Sequence, residues 1–363
     1  MAKSKVYFVG ANNLKPKTTL KLFAAGGMDK TIGKGDTVAL KIHFGEAGNF
    51  THIRPEVARK WVDAVKTREA YPFLTDTNTL YKHKRCNFFD HLQTAASHGF
   101  TMEAMGCPII IADGFNHWAT PVEVDPCLRL PTVKVAQAIH DADAMIVLTH
   151  VTLHHDIGFG GSIKNVGMGC VDKETKMRSH CTESAKVKYS EDKCIQCGTC
   201  VDLCPGGALT RDGEKIAYDR EKCVACGDCV AYCPSGALRV GWGKQIGDVH
   251  KALLDSVKGT LSTFKPGHVL YVNVMWDVTV GCDCGASSMV FMPNLGVMVS
   301  SDILAVDKAT CDLLRDTAGL PGTGLDAGQE KVSAVHKRIN MDDFWTLCER
   351  AGVGNPDYDL ITP

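Results

Sequence analysis

The stretch C-I-Q-C-G-T-C-V-D-L-C-P occupies residues 194–205, and C-V-A-C-G-D-C-V-A-Y-C-P occupies residues 223–234. Both follow the spacing C-x2-C-x2-C-x3-C-P. The repeat extends outward from the cysteines, because Tyr189 aligns with Tyr218. An internal repeat indicates two copies of one structural unit. We therefore predict that residues 187–242 form a small domain inserted into the rest of the chain.

The repeated cysteine spacing resembles that of bacterial ferredoxins with two clusters. In those proteins the fourth cysteine of each run binds the cluster of the other run. The resemblance implies Cys194, Cys197, Cys200 and Cys233 for one cluster and Cys223, Cys226, Cys229 and Cys204 for the other. It further implies two [4Fe–4S] clusters as cofactors, low-potential one-electron transfer and a redox partner protein.

The chain has 17 cysteines, so disulfides and zinc are the competing interpretations. The first residues, M-A-K-S-K-V-Y-F-V-G, lack the apolar core and cleavage site of a secretory signal. This predicts a cytoplasmic protein, and a reducing cytoplasm disfavours disulfides. Structural zinc usually takes two C-x2-C pairs rather than triplets with a trailing C-P. Iron–sulfur clusters are the interpretation that remains for this segment.

Composition narrows the classes of partner. The formal net charge is −1 over 363 residues, without the basic excess of a nucleic-acid-binding protein. No apolar run reaches the roughly 18–20 residues of a membrane span. We therefore expect neither a nucleic-acid partner nor a membrane span.

Outside the insertion, short apolar stretches alternate with amphipathic ones. The predicted strands are 6–9, 38–44, 73–76, 109–112, 145–149, 269–276 and 297–300. The predicted helices are 55–66, 87–98, 132–140, 245–264, 303–317 and 344–350. This rhythm predicts an α/β host domain with a largely parallel sheet. Its two parts, 1–186 and 243–363, are interrupted by the small α+β two-cluster domain at 187–242.

Polar side chains follow three of the predicted strands. His43 and Glu46 come after the second strand, Asp76 ends the third, and His150 and His154 come after the fifth. In parallel α/β sheets, ligands bind outside the carboxyl ends of the strands. We predict that these residues line a catalytic pocket and move protons there or bind a metal. The alternative is a set of buried histidines and capping carboxylates.

The stretch G-F-G-G-S-I-K-N-V-G-M-G-C at 158–170 is rich in glycine around one lysine. Glycines let backbone N–H groups approach an anion. We predict that Gly160, Gly161, Lys164 and Asn165 hold an anionic group of a cofactor or small substrate. The spacing matches neither the dinucleotide fingerprint nor the P-loop. A flexible lid or linker is the alternative.

Two further cysteines, Cys282 and Cys284, lie in G-C-D-C-G after a predicted strand. We predict that they bind a metal, with Cys170, Cys181 and His180 as candidates to complete the site. A redox dithiol and a reduced pair without a ligand are the alternatives. An organic cofactor in the host domain is also left open.

Several unusual strings make the host domain resemble the family known as domain of unknown function 362, whose members often carry a ferredoxin insertion. The strings are K-I-H-F-G-E at 41–46, T-H-I-R-P at 51–55, T-D-T-N-T-L-Y at 75–81, G-G-S-I-K-N-V-G-M-G-C at 160–170, C-D-C at 282–284 and S-D-I-L-A-V-D at 301–307. The family implies no particular reaction.

Taken together, the residues predict an iron–sulfur oxidoreductase whose inserted domain passes electrons to a site in the host domain. Two alternatives remain at this level. One is a dedicated electron carrier that docks to a partner redox enzyme. The other is a protein that handles metals or clusters, with Cys282 and Cys284 as the transfer site.

Overall fold

The computed structural model describes residues 2–181, 186–243 and 245–363. The strands are β1 Ser4–Gly10, β2 Thr37–Lys41, β3 Tyr71–Asp76, β4 Ile109–Ile111, β5 Ala119–Glu123, β6 Thr132–Ala136, β7 Ala144–His154, β8 Gly158–Gly160, β9 Val187–Tyr189, β10 Leu209–Asp212, β11 Lys215–Tyr218, β12 Leu238–Val240, β13 Val269–Thr279, β14 Gly296–Ser300 and β15 Tyr358–Ile361.

The helices are α1 Pro16–Ala25, α2 Met28–Thr31, α3 Pro55–Lys66, α4 Phe88–Ser97, α5 Met102–Met105, α6 Gln137–His140, α7 Ser162–Gly169, α8 Lys173–His180, α9 Thr199–Asp202, α10 Asp228–Ala231, α11 Ile246–Ser262, α12 Ile303–Asp316, α13 Lys331–Val335 and α14 Met341–Arg350. Short 3-10 turns lie at Ala11–Asn13 and Glu191–Lys193.

Within the described residues, nine strands form one mixed sheet in the order β15-β1-β14-β13-β7-β2-β3-β4, with β8 paired to β7. The strands β13, β7, β2, β3 and β4 run parallel to one another. Strand β14 runs antiparallel to β1 and β13. The predicted α/β fold with a largely parallel sheet is confirmed.

Both faces of the sheet are covered. Successive residues of β2 show the alternation, since Val38 and Leu40 belong to one buried cluster and Ala39 to the other. Helices α1 and α3 cover the first face, and α11 and α12 cover the second. Strands buried on both faces read as continuous apolar runs rather than alternating ones. This explains why M-I-V-L-T at 145–149 indicated a strand.

One predicted helix is wrong. Residues 132–140 form β6, Thr132–Ala136, followed by the short helix α6, Gln137–His140. The T-V-K-V segment favours a strand because β-branched residues fit a pleated surface. Strand β6 pairs antiparallel with β5, and Val133 and Val135 are fully buried.

Strand β7 is longer than its predicted range 145–149. It continues to His154 because its second half pairs with β8, where Thr152 faces Gly160. The neighbouring strand β2 ends at Lys41, opposite Val147. His150 and His154 therefore lie within a strand that extends past the carboxyl edge of the sheet, rather than in a loop after it.

The segment that carries the repeated cysteines is built from short elements. Strand β9 pairs antiparallel with β12, and β10 pairs with β11. The cysteine runs lie next to α9 and α10 and share a hydrophobic cluster that includes Leu209, Val230 and Leu238. Cys181 and Trp242 pair in an isolated bridge, so the chain enters and leaves this segment at adjacent points.

The glycine-rich stretch is not a flexible lid, because most of it forms β8 and α7. Its glycines permit close packing. A Cβ atom on Gly167 would lie 2.5 Å from Leu253 Cδ1 and 2.7 Å from the Leu253 carbonyl oxygen in α11. Helix α7 therefore approaches α11 more closely than a larger residue allows.

Replacing Gly167 with alanine tests this packing. We expect Gly167→Ala to lower the free energy of unfolding by about 1–3 kcal/mol, the usual cost of overpacking. Gly247→Ala in α11 is the matched control, because nothing lies within 4 Å of its added Cβ. Urea unfolding of both variants measures the difference. Equal stability of the two variants would contradict this account.

Candidate functional site

A pocket of about 620 Å³ lies at the carboxyl edge of the parallel strands. Ten of the residues that the sequence predicted for a site line this pocket, namely His43, Asp76, His150, His154, Gly160, Gly161, Lys164, Asn165, Cys282 and Cys284. Glu46 lies behind the wall, where its N–H donates to the Asp283 carbonyl at 3.0 Å. This volume is typical of sites for small ligands.

Asp76 is the buried anion around which one wall is built. Its carboxylate lies 3.0 Å from Lys41 Nζ and 3.1 Å from Arg85 Nη1, and all three side chains are buried. Burial alone would raise the pKa of Asp76, but Lys41, His91 and Arg85 hold it well below its usual range. Asp76 is therefore a fixed counter-ion, and the predicted proton-carrying role does not suit it.

Lys176 adds a positive charge to the wall beside Asp76. Asn165 Oδ1 accepts a hydrogen bond from Lys41 at 2.6 Å. Lys176 is buried and donates to two neutral oxygens, Thr77 Oγ1 at 2.7 Å and the Asn78 carbonyl at 2.6 Å. Burial lowers the pKa of Lys176 to about 8. A buried ammonium bonded only to neutral oxygens attracts an anionic ligand.

Asp283 fixes the loop that carries the two cysteines. Its Oδ2 lies 2.7 Å from His150 Nδ1, and its Oδ1 accepts hydrogen bonds from Asn49 Nδ2 and Thr51 Oγ1 at 3.3 Å each. Burial would raise the pKa of Asp283, but His150 outweighs it and the pKa falls to about 2. The carboxylate thus ties β7 and the loop after β2 to the Cys-Asp-Cys segment.

His150 has both ring nitrogens engaged. Nδ1 faces the Asp283 carboxylate, and Nε2 lies 2.8 Å from the Trp276 carbonyl oxygen. Both partners are acceptors, so both nitrogens carry protons. Burial would lower the pKa of His150, but Asp283 raises it. The ring holds its partners in place, and no nitrogen remains for the predicted metal or proton transfer.

The Cys284 sulfur lies between two donors. Lys164 Nζ is 3.9 Å from it and His43 Nε2 is 3.7 Å from it. Because His43 Nδ1 accepts the Gly45 N–H at 3.1 Å, the neutral ring carries its proton on Nε2. A hydrogen bond from Cys282, together with Lys164 and His43, holds the pKa of Cys284 well below its usual range.

Cys282 behaves in the opposite way. Its hydrogen bond to Cys284 and its burial raise the pKa of the Cys282 thiol well above the usual range. Both cysteines are partly exposed. The pair is thus divided into a thiolate, Cys284, and a thiol, Cys282.

His154 is a neutral pocket residue. Its Nδ1 accepts the N–H groups of Asp156 and Ile157, each at 3.1 Å, so the proton is on Nε2. Burial and the nearby Lys164 hold its pKa well below the usual range. His154 therefore offers a hydrogen-bond donor to a ligand. It would have to give up two backbone hydrogen bonds to bind a metal through Nε2.

The predicted third metal site does not suit this geometry. Among the described residues, no group of three or more His, Cys, Asp or Glu side chains is placed to hold a single ion. Cys170 and Cys181 are buried and, unlike His180, do not line the pocket. The Lys164 ammonium beside the Cys284 sulfur also repels a cation. The geometry favours the dithiol alternative.

The backbone of the glycine-rich stretch serves a structural role. The N–H groups of Ser162 and Ile163, which begin α7, donate to the Asp307 carboxylate at 2.8 and 2.9 Å. These two N–H groups are therefore not free to bind an anion, whereas Gly160 and Gly161, which were predicted to do so, line the pocket. From this stretch, the Lys164 side chain is the group that supplies positive charge to the pocket.

Four pocket cations were missed in the sequence, namely Lys41, Lys82, Arg85 and Lys176. Lys41 could have been recognised from the sequence, because it is the single charged residue in the apolar strand T-V-A-L-K. The sequence gives no such indication for Lys82, Arg85 and Lys176. They lie in a polar loop and in a helix of mostly polar residues, where a charge is ordinary.

The repeated cysteines lie in two groups. Cys204, Cys223, Cys226 and Cys229 line one small cavity. Burial raises the pKa of Cys200, and its neighbours Cys194, Cys197 and Cys233 raise it further. These are the two sets that the ferredoxin resemblance implies.

The cysteine segment contacts the wall of the pocket. Leu80 and Lys82 line the pocket. Leu80 also packs in the cluster that contains Cys200 and Cys233, and Lys82 donates to the Cys233 carbonyl oxygen. A second contact joins Asp228 to His117 at 2.6 Å. The loop after β3 therefore separates the repeated cysteines from the pocket by single side chains.

Fold and site together define a mixed α/β protein with a cationic, thiol-containing pocket at the carboxyl edge of its parallel strands. The chain belongs to the family described as Domain of unknown function (DUF362), whose model matches residues 38–312. No curated protein matches the chain. The described part contains no helix that is both long and apolar enough to cross a membrane.

Two solved structures are similar in outline. A crystal structure of a protein from Thermotoga maritima is 11% identical with a TM-score of 0.41, covering 74% of this chain and 52% of that one. The lactate racemase apoprotein from Thermoanaerobacterium thermosaccharolyticum is 10% identical with a TM-score of 0.46, covering 86% and 57%. The chain thus spans little more than half the length of each.

Replacing Asp76 with asparagine tests its role as counter-ion. We expect Asp76→Asn to lower the free energy of unfolding by about 3–5 kcal/mol, because Lys41 and Arg85 lose a buried partner. Asp63→Asn is the matched control, since the exposed pair of Asp63 with Arg59 contributes about 0.5 kcal/mol or less. Urea unfolding measures both. A small effect for Asp76→Asn would contradict the assignment.

Proposed function

We propose that this protein is an iron–sulfur oxidoreductase. The segment 187–242 would be a ferredoxin-like domain that holds two [4Fe–4S] clusters and receives electrons from a redox partner protein. The pocket of the host domain would be the site where a small anionic substrate reacts. When bound, the clusters would supply single electrons at low potential.

The donor set fits the proposed clusters. The thiols that bind a four-iron cube each bind a different iron, so they need not converge on one point. Two groups of four cysteines are present, one of them around a shared cavity. The Ala208 N–H lies 3.2 Å from Cys204 Sγ, the kind of hydrogen bond that tunes cluster sulfur. Gly198 and Gly227 adopt the left-handed conformation (φ 83° and 79°) that these turns require.

The observation that carries the proposal is the shared wall. Leu80 packs against the cysteine segment and also lines the pocket, and Lys82 contacts the backbone of Cys233 from the same wall. A carrier that only docks to another enzyme has no need for a cationic pocket beside its redox centres. Direct contact between the two regions supports electron delivery within the chain.

A dedicated electron carrier is the second candidate. Phe89, Phe115 and Trp118 are 68%, 61% and 51% exposed, and their rings contact one another. They lie beside His117, which bonds the cysteine segment through Asp228. An exposed aromatic patch at this position favours a partner protein that docks near the repeated cysteines.

Metal analysis tests the first half of the proposal. Protein purified without oxygen should contain about eight irons and eight acid-labile sulfides per chain. Cys197→Ser and Cys226→Ser should each lose about four irons, because they remove ligands of different clusters. Cys127→Ser, at an exposed cysteine outside both groups, should retain all of them. Zinc in place of iron, or iron unaffected by either substitution, would contradict the proposal.

Reoxidation kinetics test the second half of the proposal, the reaction of a small anionic substrate in the pocket. Protein reduced under anaerobic conditions is mixed with small anionic oxidants, and the visible absorbance of the clusters is followed. Lys164→Gln should slow reoxidation about tenfold or more by removing positive charge from the pocket. Lys34→Gln, at a side chain that is 76% exposed, is the control and should have no effect. Equal rates for both variants would favour the dedicated carrier.

A further inference from the structure

We propose that Cys282 and Cys284 form a redox-active dithiol that reduces small disulfides carrying anionic groups. Cys284 is the attacking thiolate, and Cys282 is the thiol that resolves the mixed disulfide. The inference rests on the proposed function only for the return of the pair to its reduced state.

The surroundings of the two sulfurs give them different tasks. Cys284 Sγ lies 3.9 Å from Lys164 Nζ and 3.7 Å from His43 Nε2, so positive charge and a donor both stabilise a thiolate there. Asp283, the nearest carboxylate in sequence, has its oxygens bonded to His150 at 2.7 Å and to Asn49 and Thr51 at 3.3 Å. Attack on a disulfide requires a thiolate, and the geometry assigns that role to Cys284.

The exchange balances in two steps. The Cys284 thiolate attacks one sulfur of the substrate, a bond forms between them, the substrate S–S bond breaks, and one thiolate leaves. The Cys282 thiol then gives up its proton to solvent, and its sulfur attacks Cys284 Sγ. A Cys282–Cys284 disulfide forms, and the second thiolate leaves. The substrate has gained two electrons, and the dithiol has lost two.

Two electrons and one proton restore the thiolate and the thiol. A low-potential iron–sulfur donor is the class of reductant required, and two one-electron [4Fe–4S] centres match the number of electrons. A dithiol thus explains why a chain with a two-electron site would carry a pair of one-electron centres.

The pocket selects the charge of the substrate. Lys164 and Lys176 line it and contact the Cys284 sulfur and neutral oxygens, respectively, whereas Lys41 and Arg85 are paired with Asp76. The space of about 620 Å³ suits a small molecule rather than a folded protein. A disulfide whose substituents carry carboxylate, sulfonate or phosphate groups fits this surface.

Trapping the mixed disulfide tests the inference. Cys282→Ser protein is mixed without oxygen with dithiodipropionate, a dianion, and the peptides are examined by mass spectrometry. We expect the mixed disulfide to accumulate on Cys284. In the unsubstituted chain the reaction should proceed to a Cys282–Cys284 disulfide, and this second measurement does not depend on the folding of a variant. Cys284→Ser should form neither product.

The charge preference is tested with cystamine, a dication of similar length. Each rate is divided by the rate of the same probe with free cysteine, which removes the intrinsic difference between the probes. We expect the dianion to react about tenfold or more faster than the dication. Lys176→Gln should reduce this preference, and Lys34→Gln should leave it unchanged.

Several results would overturn the inference: no adduct on Cys284 and no Cys282–Cys284 disulfide, a metal ion that the two cysteines retain, or equal normalised rates for both probes. The outcomes separate the two proposals. Trapping on Cys284 in a chain that binds no iron would contradict the proposed function alone. Full iron content without trapping would contradict the dithiol alone.

Discussion

The buried contact of Asp76 with Lys41 and Arg85 is the interaction on which the pocket depends. Charges removed from water are tolerated only when they are paired and hydrogen-bonded, which explains the further hydrogen bonds that Lys41 donates to Asn165 and Arg85 donates to Tyr81. Because Asp76 ends β3 and Lys41 ends β2, the contact joins two neighbouring strands at their carboxyl ends. It fixes one wall of the pocket.

A second buried pair organises the opposite wall. Asp283 and His150 connect the Cys-Asp-Cys loop to β7, and Asn49 and Thr51 add hydrogen bonds from the loop after β2. This arrangement engages both ring nitrogens of His150, which the sequence had suggested as a catalytic residue. It leaves the two flanking sulfurs at the pocket, with Lys164 and His43 beside one of them. The proposed chemistry therefore falls to the thiols.

The loop after β3 links the two regions of the protein. It begins at the buried Asp76 and includes Leu80 and Lys82, which contact the cysteine segment, and Arg85, which returns to Asp76. The chain enters and leaves the cysteine segment at one place, where Cys181 pairs with Trp242, and Trp242 lines the pocket. Contacts at both ends hold the repeated cysteines against the pocket wall, which favours transfer within the chain.

The sequence by itself determined the α/β host with its largely parallel sheet, the family, the cysteine repeat and ten of the 29 residues that line the pocket. Apolar runs and motif spacing can be read from consecutive residues. Because ligands bind outside the carboxyl ends of parallel strands, residues at those ends are predicted to lie in one pocket. Only the tertiary structure decided what those residues do. Asp76 and His150 do not suit their predicted roles because partners from other parts of the chain, Lys41 and Asp283, occupy their polar atoms. Lys176 entered the site from a helix of mostly polar residues. Such pairings depend on distances across the fold, and no local pattern in the sequence records them.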